Sequence, residues 1–114
     1  MRLNKLEKLL MQKFLEDESI KIAKINANFN LVDISDRELT GAGFLTQLKN
    51  CDELKVSATN RSFKWGKLGA KLNSEKIETG YLIYIENGYI DAIEGYTYGE
   101  DWPEEIDEIE MYDL

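Results

Sequence analysis

The chain has 114 residues, a length that fits one domain over residues 1–114 with a core of its own; 43% apolar and 32% charged residues exclude wholesale disorder. One cysteine, Cys51, excludes an internal disulfide, and the absence of histidine excludes histidine-dependent triads and the usual zinc sites. The formal net charge of −8 is unevenly spread: residues 1–76 hold all 14 Lys and Arg with 10 acids, a net of +4, whereas residues 77–114 hold 12 acids and no base.

Leu3, Leu6, Leu10 and Phe14 recur at helical spacing, widened by Leu9 and Met11. Lys5, Glu7, Lys8 and Lys13 fall mostly elsewhere on the wheel, so an amphipathic helix is predicted over residues 2–16. These charges also break any continuous apolar leader, and the expected location is the cytoplasm. From Ala23 to Leu31 apolar and polar residues alternate, which predicts a half-buried strand. Asp33 to Glu38 reads as a loop. Gly41-Ala-Gly43 opens a strand over Phe44–Leu48, and Asn50 to Glu53 reads as a turn. Short strands are predicted at Lys55–Thr59 and Phe63–Trp65. Gly66 and Gly69 break the pattern, leaving Lys67–Lys76 as a short helix or a loop.

Asn87-Gly88 is the clearest local signal. It suits a two-residue type I′ turn between strands Tyr81–Glu86 and Tyr89–Glu94, because both central positions require positive φ. Counted outward from the turn, Ile85 faces Ile90, Ile83 faces Ala92 and Tyr81 faces Glu94 on one nearly apolar face. Glu86 with Tyr89, Tyr84 with Asp91, and Leu82 with Ile93 form a mixed second face. This register sets Glu94 at the end of the apolar face, where it needs a partner or a raised pKa; a bulge at Gly95 would instead turn it outward. Tyr96-Thr-Tyr98 extends the strand, Gly99 ends it, and Trp102-Pro103 imposes an extended or turning backbone. Glu104 to Leu114 forms one helical turn or a strip against the sheet. The expected architecture is α+β: an N-terminal amphipathic helix packed on a mainly antiparallel sheet of about five strands with a C-terminal β-hairpin.

Little chemistry is written in these residues. Cys51 has no histidine to activate it. The Gly41-x-Gly43 and Gly66-x-x-Gly69 spacings complete neither a phosphate loop nor a dinucleotide fingerprint. Acids are plentiful enough for a hard-metal site, but no EF-hand spacing occurs, and no cofactor and no metal are expected. Bases scattered over residues 2–76, with aromatics clustered among acids, oppose direct nucleic-acid binding. A carboxylate pair, Asp91 and Glu94, is the one enzyme-like option. By contrast, the acids of the C-terminal third are interleaved with Tyr81, Tyr84, Tyr89, Tyr96, Tyr98, Trp102 and Tyr112. Solvating tails are poor in aromatics, whereas interface hot spots are rich in Tyr and Trp.

The stretch GYIDAIEGYTYGEDWP, residues 88–103, resembles a C-terminal signature of small bacterial toxin-immunity proteins, including those of contact-dependent growth inhibition. There an apolar strand runs into an LEG(Y/F)-x-Y strand and then an acidic WP; here Ile93 stands where Leu is commoner. Gly41-Ala-Gly43-Phe44 and Gly69 also match glycine positions of that group. The resemblance implies a non-enzymatic protein that binds and neutralises a cognate toxin, and it carries over no catalytic residue; the acidic, tyrosine-rich end suits a toxin of nuclease type, basic where it grips phosphate. On this reading Asp91, Glu94, Glu100, Asp101, Glu104 and Glu105 supply charge complementarity. Tyr84, Tyr89, Tyr96, Tyr98 and Trp102 are the contact anchors. The alternatives are an adaptor or assembly protein with a non-toxin partner, and a carboxylate-dependent enzyme.

Overall fold

A computed structural model describes residues 1–17, 31–56 and 61–114. The predicted strand at Ala23–Leu31 lies outside the described residues except for Leu31, which is exposed. Helix α1 spans Lys5–Glu16. Its start is set by a capping box: Asn4 accepts from the Glu7 amide at 2.9 Å, and Glu7 accepts from the Asn4 amide at 2.8 Å. Leu6, Leu10, Met11 and Phe14 are buried as the stripe predicts, each contributing roughly 1.5–3 kcal/mol on burial. Phe14 meets Trp65 edge-on, with ring centroids 5.2 Å apart. Among the described residues no helix is long and apolar enough to cross a membrane.

Among the described residues six antiparallel strands follow: β1 Ile34–Leu39, β2 Gly43–Leu48, β3 Phe63–Leu72, β4 Ile77–Glu86, β5 Tyr89–Thr97 and β6 Ile109–Asp113. They form one sheet in the order β1-β2-β5-β4-β3-β6, so the fold is α+β, with α1 packed on one sheet face. Asp33–Glu38, expected as a loop, is largely edge strand β1. Its charges are tolerated because the strand is at an edge, with Asp36 and Glu38 exposed to water. Arg37 points inward, where it meets Glu7.

Lys67–Lys76, expected as a helix or loop, is the second half of β3 and a tight turn. Leu68, Ala70 and Leu72 alternate into the core. The strand absorbs Gly66 in a register shift between Trp65 and Leu68. The turn places Asn73 (φ 64°) and Lys76 (φ 55°) in the left-handed region. Asn50–Glu53 becomes a 3-10 turn at Asp52–Leu54 that buries Leu54. Lys55 makes only an isolated bridge to Tyr89, and Ser57–Thr59 lie outside the described residues. Of the two forms expected for the acidic end, a helical turn or a strip against the sheet, the structure shows the second: Ile109–Asp113 pairs with β3 as the second sheet edge.

Candidate functional site

The hairpin decides which side chains are presented. Asn87 (φ 52°) and Gly88 (φ 85°) make the expected turn, and Ile85↔Ile90 and Glu86↔Tyr89 pair as counted from the sequence. One residue later the count fails. Asp91 is an extra, exposed residue, and the register resumes as Tyr84↔Ala92, Ile83↔Ile93, Leu82↔Glu94 and Tyr81↔Gly95. A bulge thus lies at Asp91, not at Gly95, and it transfers Glu94 to the face opposite the core.

That outer face can be followed in rows across the sheet. One row runs Glu38, Leu45, Glu94, Leu82. A second runs Asp36, Gln47, Ala92, Tyr84, Lys64. A third runs Gly43, Tyr96, Gly80, Gly69, Tyr112. A fourth joins Glu78, Lys71 and Glu110. Helix α1 is on the other side, and no other described helix or strand lies over this face. Accordingly Leu45, Leu82, Tyr84, Glu94, Tyr96 and Tyr112 are half-buried against one another, while Asp36, Glu38, Lys64, Glu78 and Glu110 at the margins are exposed.

Two of its carboxylates accept from phenols of other strands, one from the next strand and one from across β3. Tyr84 donates to Glu94 at 2.5 Å, and Tyr112 donates to Glu78. Each carboxylate favours the neutral phenol, and with added desolvation both tyrosines are pushed up to about 12. Lys64 stands 5.5 Å over the Tyr84 ring. The third row is built for close approach: a Cβ on Gly80 would lie 2.6 Å from the Tyr96 hydroxyl and 2.7 Å from that of Tyr98, and one on Gly69 would lie 2.7 Å from the Tyr112 ring. The rings of Tyr96, Tyr98 and Tyr112 therefore rest on a floor of paired glycines. Tyr96 and Tyr98 meet edge-on with centroids 5.6 Å apart.

The residues expected to bind a partner do not form one patch. Tyr84, Glu94, Tyr96 and Tyr98 come together on the outer face. Trp102 lies on the core side, packed edge-on against Phe44 at 5.2 Å and Tyr81 at 6.4 Å. Gly95 makes room there, because a Cβ would meet Phe44 at 2.4 Å and Tyr81 at 2.9 Å. With Glu104, Trp102 lines a cavity of about 490 Å³ beside the start of α1. Glu100, Asp101 and Glu105 are exposed on the connection between β5 and β6. Asp91 and Tyr89 line a smaller hollow of about 230 Å³ at the hairpin turn, and Glu94 is not among its residues.

Tyr112, Glu78 and Lys64 belong to the outer face but were not expected there. The signal for Tyr112 was present, since Ile109-Glu-Met-Tyr112 alternates as a strand does. Cys51 is half-buried, and burial, followed by a hydrogen bond with Glu53, pushes its thiol above the ordinary value. An activated nucleophile shifts the other way.

The loop before β2 meets the end of β5 and the connection after it. Trp102 donates its amide to the Gly41 carbonyl at 2.7 Å, and Thr97 donates its amide to Ala42 at 2.8 Å. Compared with known proteins, the chain matches no family model, no curated protein and no solved structure.

Proposed function

We propose that the chain is a cytoplasmic immunity protein that binds a basic, nuclease-type toxin and neutralises it through the outer face of its sheet. The observation that carries this reading is that face itself. Tyr84, Tyr96, Tyr98 and Tyr112 are set there among Asp36, Glu38, Glu78, Glu94 and Glu110, against Lys64 and Lys71. Rigid, amphipathic tyrosines provide contact area at small entropy cost, and the surplus of carboxylates attracts a basic surface. A nuclease is basic where it grips phosphate, so an acidic face seated over that site competes with substrate. Charge steering raises association rates by about 10–10³. The resemblance of residues 88–103 to toxin-immunity proteins points the same way.

The test is capture of partners from source cells by the tagged chain, at low and moderate salt. Each stoichiometric partner is then expressed alone and together with this chain. The expected outcome is one basic protein that halts growth alone and is harmless in its presence. Recovery of only the chain itself, or of assorted housekeeping proteins, would return the function to an adaptor or to carboxylate chemistry.

A further inference from the structure

The third row of the outer face carries a more specific chemistry. Gly80 and Gly69 are paired neighbours on β4 and β3. Tyr96 reaches over Gly80 from β5, Tyr112 over Gly69 from β6, and Tyr98 over Gly80 from just beyond β5. Tyr98 is 59% exposed. Because Tyr96 and Tyr98 stand nearly perpendicular, at 81°, they cannot cover both faces of each other's rings. Tyr84, two rows away, already has a cation over its ring in Lys64. Among the described residues none lies over Tyr96, Tyr98 or Tyr112. Carboxylates flank the row on both sides: Glu78 precedes Gly80 by two residues on β4, and Glu94 precedes Tyr96 by two on β5, which puts both on the same face. Each accepts one phenol hydrogen bond and keeps further lone pairs for a second donor.

We propose that the Tyr96–Tyr98–Tyr112 cluster is an arginine receptor: a guanidinium from the partner protein stacks on these rings and is held by Glu78 and Glu94. This rests on the proposed binding role of the face. Arginine fits better than lysine for two physical reasons. The cluster is shallow and open, so a strongly hydrated ammonium keeps its water there, whereas a guanidinium is weakly hydrated and stacks flat on aromatic rings. Its planar fork also sets two parallel N–H donors against one flanking carboxylate, a bidentate contact that an ammonium does not make.

The probe is a short capped peptide with two arginines, compared with its lysine and citrulline counterparts, and titrated while the tyrosine ring resonances are followed by NMR. The arginine peptide is expected to shift Tyr96, Tyr98 and Tyr112 saturably and ahead of the rest of the protein. The lysine peptide should bind about fivefold more weakly, and citrulline should leave the rings unmoved. Tyr98→Ala should abolish the response and Tyr98→Phe, which keeps the ring, should preserve it. Gly80→Ala keeps all three rings but displaces two, and should also weaken it; the amide spectrum of each variant reports whether the fold is intact. Equal responses to arginine and lysine, or shifts spread evenly over the acids of residues 100–110, would overturn the proposal. If a toxin is captured and binds the Tyr98→Ala and Tyr112→Ala variants as well as the parent, the arginine site falls and the immunity reading stands. If no toxin is captured but the arginine peptide moves these rings, the reverse holds.

Discussion

Tyr84 on β4 and Glu94 on β5 are joined by a hydrogen bond of 2.5 Å across the outer face, although a plain count from the Asn87-Gly88 turn sets them on opposite faces. One extra residue, Asp91, brings them together.

That contact predicts an alkaline signature. Tyr84 and Tyr112 are pushed from 10.0 to about 12, first by hydrogen bonds to Glu94 and Glu78. A raised folded pKa means that the stability these phenols contribute is fully present below pH 10 and is lost as pH rises through about 12. Ring resonances followed through an alkaline titration should show both ionising well above an ordinary tyrosine. Glu94→Gln should bring Tyr84 back toward 10.0 and leave Tyr112 in place. An unmoved Tyr84 would show that the carboxylate is not what holds its proton.

Glu7 is fully buried and holds three elements together. Its carboxylate accepts from the Asn4 amide, both from Nε (3.1 Å) and a terminal nitrogen of Arg37, and from the Thr46 hydroxyl at 2.5 Å. Removing Arg37 leaves that charge without its counter-ion. Arg37→Ala should destabilise by about 3 kcal/mol in urea unfolding, whereas Arg2→Ala, which breaks an exposed pair with Asp33, should cost well under 1 kcal/mol. Similar losses for the two would mean that Glu7 is reached by water.

Two glycines near the β2 start should respond in opposite degree. A Cβ at Gly43 would lie 1.9 Å from the Gly95 carbonyl oxygen, which is strand backbone and has nowhere to go. Gly43→Ala should cost about 3 kcal/mol through loss of the β2–β5 pairing. At Gly41 the added methyl meets nothing within 4 Å, and only its φ of +57° opposes it; Gly41→Ala should cost about 1 kcal/mol. Thermal melts of the two variants decide between them.

Trp102 is expected to act on stability before it acts on any partner. It closes an aromatic group with Phe44 and Tyr81 on the core side, so Trp102→Ala should lower stability by about 2 kcal/mol. Affinity for a captured partner, measured where the variant is still folded, should change little. A large loss of affinity at unchanged stability would extend the interface to the core-side rim.

Reversing the charges of Glu100, Asp101 and Glu104 together should slow association with the partner and flatten its salt dependence, with the fold intact. Unchanged kinetics in that triple variant would show that the charges of the β5–β6 connection do not steer the encounter.

Much of this was legible in the residues. The stripe of Leu6, Leu10, Met11 and Phe14 and the Asn87-Gly88 turn both state their local structure by period and by turn chemistry. The Asn4-x-x-Glu7 box was equally available as a start signal, and it would have moved the helix start from residue 2 to residue 5. β1 and the second half of β3 were hidden for different reasons. The charges of Asp36, Arg37 and Glu38 imitate a loop because an edge strand has water on one side and, at Arg37, a buried partner contributed by α1. Gly66 and Gly69 look like breakers, yet Gly66 sits in a register shift and Gly69 is the floor beneath Tyr112.

By itself the sequence determined the α+β class, the N-terminal helix, the hairpin and the concentration of acids and tyrosines in the last third. Those are properties of composition and of short-range periodicity. Only the tertiary structure decided which tyrosines share a face, that Trp102 turns to the core, that Glu7 is buried, and that Gly69 and Gly80 lie side by side beneath three rings. Strand order is a non-local choice, and in a strand the facing of every later residue depends on each residue before it. A single bulge at Asp91 therefore reverses an assignment that alternation alone makes with equal ease either way.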